Sequence, residues 1–420
     1  MSNSTLSKKL ANVEPGTLYV GVDLALKRNV AVVLSERADR LARFGFPNNQ
    51  DGYDYFHRRL ETLRERHQAP AVLVGMEPTN YFWKLLAADL EQRQVDYRLV
   101  NSYTVKKHRE GDQLDRSKDD PRDAFTIGDL LRTGKFTETR LLHGGYAELR
   151  QHVVLHDRLQ RDIRRQKNLV YTIAGQLFPE LSYEFKDLTG VTALAMLRGH
   201  AAADVIRQMS QEAFIASVRA DFQGKRLQVS KLCRAHRLAI TSVGLQDGVR
   251  ARQLALRLHI ETLEALQCQL EEVRAALLDT FYSLPESRYL VSVHGLGEIT
   301  AAIILAEIGD PRNYRHGSQL IKLAGTQPVT NISGRKSRSR TPMSHKGRPR
   351  LRTALFFAVM RLVQVDDAFA REYLRLQRRK KKPLTKMQAL GVLMNKLLRI
   401  LWALMRDRTF YNPTLLEPVA

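Results

Sequence analysis

Val20-Gly21-Val22-Asp23-Leu24-Ala25 sets a carboxylate among apolar residues, in what reads as the middle of a β-strand. An uncompensated charge in such a setting is costly, so an acid there needs a partner or a cation. The strand is expected over Thr17 to Ala25. Asn29 to Glu36 and Arg40 to Asn48 are two further short runs rich in Val, Leu and aromatics, each only a few residues on. This spacing predicts an antiparallel meander. Next come a helix at residues 50 to 67 and the near-continuous apolar run Ala71-Val72-Leu73-Val74-Gly75-Met76, which reads as a central strand buried on both faces and ending at Glu77. Tyr81 to Gln92 reads as helical and Asp96 to Val100 as another strand.

Three hairpin strands followed by alternating helices and strands is the order of a ribonuclease-H-like α/β layer. Further on, Ser117-Lys118-Asp119-Asp120-Pro121-Arg122-Asp123-Ala124 places two carboxylates three residues apart at a helix start. Pro121 suits the first helical position, and Ala124, Phe125, Ile127, Leu130 and Leu131 recur behind it at helical spacing. Asp120 and Asp123 then share one helical face. In isolation they read equally as an N-cap and a dipole-compensating acid. With Asp23 in its strand and Glu77 at the end of a neighbouring one, the helix is expected to return across the sheet edge and complete a four-carboxylate site. Such acids repel one another unless cations neutralise them, and hard oxygen ligands suit Mg²⁺ or Mn²⁺. Two such ions clamp the attacking and leaving oxygens of a phosphodiester.

A formal net charge of +23 and a pI near 10.1 call for a polyanionic partner, nucleic acid or an anionic membrane. The chain opens on the polar Met1-Ser2-Asn3-Ser4-Thr5, with no secretory pattern. Leu390 to Met405 is interrupted by Asn395, Lys396 and Arg399 and reads as a packing helix, not a membrane span. Cys233 and Cys268 have neither disulfide-framework nor zinc spacing. A reducing, cytoplasmic compartment and a nucleic-acid partner, without membrane, are the expectation.

Residues 1–140 form the acid-bearing α/β domain in this reading, 141–285 an all-helical, coiled-coil region, and 286–420 a mostly helical C-terminal domain. Tyr146 to Leu177 reads as one long helix. Leu256, Ile260, Leu263, Leu266, Leu270, Val273 and Leu277 follow steps of three and four, a coiled-coil seam whose partner is either the same chain or a second copy. Tyr183 to Gly244 between them carries no chemical motif. Gly295 and Gly297, in Val293-His294-Gly295-Leu296-Gly297-Glu298, have the form of a helix-hairpin-helix turn, whose glycines let amides approach a phosphate at a helix start. Ser333-Gly334 follows a short strand-like run and precedes Arg335, Lys336, Arg338 and Arg340. Its hydroxyl is either a phosphate contact or a nucleophile aided by the cations. Ser337, Ser339 and Ser344 share the region. Between Arg335 and Lys386 stand 17 Lys or Arg against three acids, a concentration beyond the needs of a solvated surface. Lys346, Arg348 and Arg350, and the run Arg378-Arg379-Lys380-Lys381-Lys382, are the candidate backbone-binding cations.

Asp23 in Tyr-Val-Gly-Val-Asp, Glu77 in Gly-Met-Glu-Pro-Thr, the pair in Lys-Asp-Asp-Pro-Arg-Asp-Ala, and Leu-Ala-Gly-Thr-Gln-Pro…Ser-Gly…Lys-Gly-Arg…Leu-Arg-Thr-Ala-Leu-Phe together resemble the insertion-sequence transposases of the IS-one-ten type, the RNA-bridged recombinases with a DEDD, RuvC-like domain. Asp119 stands where that pattern often has Thr, and Asp120 keeps the three-residue spacing to Asp123. The resemblance implies a DNA recombinase of a mobile element. Asp23, Glu77, Asp120 and Asp123 would hold the metal, and Ser333 would form the covalent link to DNA. It further implies a structured guide RNA from the flank of the element, and dimers or tetramers formed through the helical arm. A RuvC-like junction resolvase that activates water, or a non-catalytic nucleic-acid-binding protein, would share much of this sequence. Metal-dependent cleavage and a covalent adduct separate the three.

Overall fold

The structure, a computed structural model, describes residues 11–416 apart from 12, 113–119, 138–140, 221, 223–225, 330–331, 334–335 and 338–341. For 109–112, 120–121, 332–333, 336–337 and 415–416 the backbone alone is described. The chain divides into two compact units, Met1–Leu142 and His143–Ala420.

In the first unit the alternating runs become β1 (Leu18–Asp23), β2 (Arg28–Leu34) and β3 (Arg40–Pro47), followed by α1 (Gln50–Arg66), β4 (Val72–Met76), α2 (Phe82–Gln92), β5 (Tyr97–Leu99), α3 (Ser102–Asp112) and α4 (Asp120–Arg132). The sheet order is β3-β2-β1-β4-β5. The first three strands pair antiparallel, and β4 runs parallel to β1 and β5, a mixed sheet in keeping with a ribonuclease-H-like domain. Alternation along β1 sends Leu18, Val20 and Val22 into one core with α1 and α2, whereas Tyr19 joins a second core on the opposite face with α4. Asn49 starts α1 by accepting from the Gly52 amide at 2.9 Å, and Tyr53, Phe56, Leu60 and Leu63 form its buried stripe.

Two sequence expectations are corrected here. Asp23 is the last residue of β1 and does not lie mid-strand. The Asn29 side chain accepts from the Ala25 amide at 3.1 Å, which turns the backbone out of the sheet just past the acid. And α4 does not return across the sheet edge. It lies on the face over β1, because Gly21, Gly75 and Gly128 remove the side chains that would hold it away.

Among the described residues, the regular structure of the second unit is helical apart from a short ladder. α5 (Gly144–Leu177) and α11 (Val249–Ser283) run antiparallel, with His152 bonded to Thr280, Gln166 to His259 and Gln176 to Arg252. The apolar seam read from Leu256 onward therefore packs against its own chain. Between these helices lies an insert of α6 (Leu181–Glu184), α7 (Val191–Gly199), α8 (Ala203–Arg207), α9 (Gln211–Ala220) and α10 (Val229–Ile240). Its apolar residues form one core with Val170, Leu177, Leu256 and Ile260 at that end of the hairpin. The other end, at Leu149, Val153, Leu277 and Phe281, belongs to the core of α12 (Ser287–Val291), α13 (Glu298–Ile308), α14 (Gly317–Ala324), α15 (Pro349–Val365), α16 (Asp367–Arg378) and α17 (Lys386–Asp407). By length and composition α17 could cross a membrane, yet Leu393, Leu397, Leu398 and Leu401 are fully buried in that core.

Candidate active site

The register of β1 and β4 relates two of the acids. Val22 pairs with Met76, so Asp23 and Glu77 are the next residues at the carboxyl ends of two adjacent parallel strands. By the period of two, both share the sheet face of Gly21 and Gly75. α4 covers that face. A β-carbon on Gly21 would stand 1.9 Å from the Ala124 carbonyl oxygen and 2.4 Å from the Gly128 amide nitrogen, and one on Gly75 would meet Leu131 at 3.1 Å. Asp123, one residue before Ala124, lies in the first turn of α4 and is buried to 8% exposure. Asp23, Glu77 and Asp123 thus come to one face and one end of the sheet. Asp120 opens the same helix, its side chain outside the described residues. Among the described residues no three His, Cys, Asp or Glu side chains stand close enough to hold a metal together. As hard oxygen donors, the acids suit a divalent ion of the Mg²⁺ or Mn²⁺ kind.

A second tier of residues, missed by the sequence reading, positions that helix. Asp129 of α4 accepts from Arg132 at 2.6 Å and pairs with His108 of α3 at 3.1 Å. Burial pushes the Asp129 carboxyl up, and the hydrogen bonds from Arg132 and His108 overcome this and hold it below the ordinary carboxylate range. The three close-packed glycines also escaped the sequence reading, although Gly21 and Gly75 in otherwise apolar strands were a legible sign of close backbone approach.

In the second unit Ser333 ends β6 (Ile332–Ser333) and pairs antiparallel with Lys336 of β7 (Lys336–Ser337). The base of this hairpin is tied by Val329 N–H to the Pro342 carbonyl at 2.9 Å and Ser344 N–H to the Gln327 carbonyl at 2.9 Å. The Ser333 side chain, and Arg335, Arg338 and Arg340, lie outside the described residues.

The other candidate cations divide into two kinds. Lys346 and Arg378, Arg379, Lys380, Lys381 and Lys382 are exposed, and none of the last five pairs with a carboxylate among the described residues. Arg348 and Arg350 are engaged at home. Glu307, at 1% exposure, takes Arg350 at 2.9 Å, Arg150 at 3.2 Å and Arg348 at 3.8 Å, and Arg350 reaches on to Asp157 at 3.0 Å. Arg348 also donates to the Glu307 carbonyl. Burial, and then repulsion from Arg348, push the Arg150 guanidinium below its usual value. Gly295 adopts a φ of +92°, and a β-carbon there would strike Val365 at 2.3 Å. That glycine is thus required by packing. Gly297 precedes α13, and the nearest atom to a β-carbon there is Thr300 at 4.0 Å.

Residues 20–179 match a family model described as a transposase, the DEDD transposase domain of IS110, and residues 287–375 match the one described as the transposase IS116/IS110/IS902 family. Together they span more than half of the sequence. The chain belongs to the IS110-type transposase family. This DNA transposase is 26% identical over 336 residues to a Streptomyces coelicolor protein named for the mini-circle IS117 and its transposase, covering 76% of the chain and 78% of the relative. It is 24% identical over 411 residues to the uncharacterized protein of insertion element IS116 of Streptomyces clavuligerus, covering 94% and 96%. The pilin gene-inverting protein of Moraxella lacunata is 29% identical over 138 residues, 32% of the transposase and 42% of the relative. The four acids fall within the first matched segment, and Ser333 and the Glu307 cluster's Arg348 and Arg350 within the second.

Proposed function

We propose that this transposase cuts and rejoins DNA by transesterification, with Ser333 as the nucleophile and Asp23, Glu77, Asp120 and Asp123 holding Mg²⁺ or Mn²⁺. The observation that carries the reading is strand parity. The register sets Asp23 beside Glu77, on the face over which the Gly21 contact draws the first turn of α4, with Asp123 in it. Carboxylates at one end of one sheet face repel one another as they approach, and a hard divalent ion is the neutralising partner their chemistry suits. When bound, it supplies stabilisation of charge on the phosphoryl oxygens.

Ser333 Oγ forms a bond to phosphorus as the bond from phosphorus to the leaving deoxyribose oxygen breaks. The serine gives up its proton, and the departing oxygen gains one. Attack by a second strand's hydroxyl on the serine phosphodiester reverses the step and rejoins the DNA. One ester replaces another, so no energy-rich cofactor is consumed. Arg335, Lys336, Arg338 and Arg340 flank the serine in sequence and supply positive charge for the phosphoryl oxygens. Residues 1–140 contribute the acids and 286–420 the serine. Residues 141–285, the helical arm, bring copies into dimers or tetramers. Target choice is delegated to a structured RNA, because the chain offers abundant cations for backbone contact and no motif that reads base edges.

The test is a suicide DNA substrate that traps the intermediate. The wild type is expected to yield an adduct whose modified peptide contains Ser333, and both Ser333→Ala and EDTA treatment are expected to abolish it. An adduct from Ser333→Ala removes the serine assignment. Metal-dependent cleavage with no adduct at all favours a nuclease that uses water.

A further inference from the structure

The insert between α5 and α11 has no role in the chemistry above, yet it carries two adjoining cavities. One, of about 400 Å³, is lined by Phe185, Lys186, Val191, Arg226, Gln228 and Lys231 among others. The other, of about 850 Å³, also takes in Arg226 and Gln228 and adds Arg219 and Phe222. The shared residues make them one trough along the starts of α7 and α10.

Four cations, Lys186, Arg219, Arg226 and Lys231, line this trough, and none pairs with a carboxylate among the described residues. Asp187 is the only carboxylate among the described lining residues. Its Oδ1 already accepts from the Thr189 amide at 2.8 Å, the Thr189 hydroxyl at 2.6 Å and the Tyr171 hydroxyl at 3.0 Å. Nearby on the same insert, Arg234 is neutralised by Glu184 at 2.7 Å, in contrast to the four cations of the trough. Like charges along one groove repel, and their field is relieved by a polyanion. The walls between them are partly apolar. Phe185 lies under Lys231, whose Nζ is 5.5 Å from the ring centroid, and Val191 is 45% exposed. Val191, Thr192 and Ala193, at the start of α7, where no side chain caps the helix, also line the trough, and a helix start carries partial positive charge.

We infer that the trough on the insert, formed by Lys186, Arg219, Arg226 and Lys231, is a second nucleic-acid-binding site that tracks a phosphodiester backbone. The charge is spread over two connected cavities, which suits a strand and not a single small anion. The inference rests on the nucleic-acid reading above only for the class of polyanion.

The experiment uses the full chain and three labelled probes of about 20 residues per strand: a single-stranded RNA, the same sequence as single-stranded DNA, and the DNA duplex. Lys186→Gln/Arg226→Gln removes two exposed cations that hold no structural partner. It is expected to weaken binding of at least one probe about tenfold at moderate salt. It should also flatten the dependence of log affinity on log salt by about 1.4 for a single strand, or 1.8 for the duplex. The charge-keeping pair Lys186→Arg/Arg226→Lys is expected to bind like the wild type. The probe that responds identifies the polymer. Unchanged affinity and salt slope for all three probes, with wild-type binding intact, overturns the trough while leaving the transposase reading in place. A wild-type chain that binds none of them overturns both.

Discussion

Gly21 has no room for any side chain, since the Ala124 carbonyl and the Gly128 amide already occupy the space. Gly21→Ala is therefore expected to lift the helix bearing Asp120 and Asp123 off β1. Stability should fall by about 3 kcal/mol, and cleavage should disappear even where folded protein remains. Urea unfolding followed by a cleavage assay on the folded fraction checks both. Asp129 offers a subtler handle on the same helix. Its carboxyl titrates below the ordinary range in the folded chain, so its contribution is fully present above the unfolded pKa of about 3.9 and fades as pH falls towards the lower folded value. Asp129→Asn should cost about 1–3 kcal/mol at pH 7, and the gap from wild type should narrow as urea titrations move below about pH 4. Asp23 stood out as a candidate because a carboxylate among apolar strand residues is conspicuous. Asp129 and His108 did not, because a surface-like Asp and His declare nothing until the helices meet.

Most elements of the first unit follow from apolar patterning and turn residues, since β1 buries side chains on both faces and α1 shows one apolar stripe. α3 was missed because its segment, Ser102–Asp112, buries only Val105 among its described side chains and so has no periodicity to read. The insert read as helical, but the bounds of α7 were not legible for the opposite reason, with Thr192 to Leu197 buried on every side. In the C-terminal core the decisive element junction is ionic. Glu307 at the end of α13 gathers Arg150 from α5 with Arg348 and Arg350 at the start of α15, below the serine hairpin in sequence. Removing the one carboxylate at the centre leaves three guanidinium groups facing each other. Glu307→Gln should lower stability by about 3–5 kcal/mol, measured by chemical denaturation. A loss below about 1 kcal/mol would show that the cluster is solvated and the helices are held by apolar packing alone. Pairings so distant along the chain leave no trace in a sequence pattern.

For the molecule as a whole the net charge of +23 was the plainest message of the composition, and the exposed run Arg378–Lys382 shows where part of it is displayed. Charge alone binds any nucleic acid, so RNA guidance makes a sharper demand. Between about 50 and 200 mM salt, the transcript of the flanking non-coding DNA should keep its affinity better than a scrambled RNA of equal length, because purely electrostatic binding weakens steeply and alike for both. Equal decay of the two, with recombination proceeding in the absence of either, removes the guide. The hairpin adds a consequence of another kind. Leu245 N–H donates to the Gln176 carbonyl at 2.8 Å, and Gly244 sits against the Leu177 carbonyl, so the chain leaves the long helices and rejoins them at neighbouring points. A segment whose two ends meet is a cassette. It can be lengthened, trimmed or exchanged during descent without shifting the register of the helices that carry it, so a new ligand preference can be acquired there while the strand-cutting chemistry stays untouched.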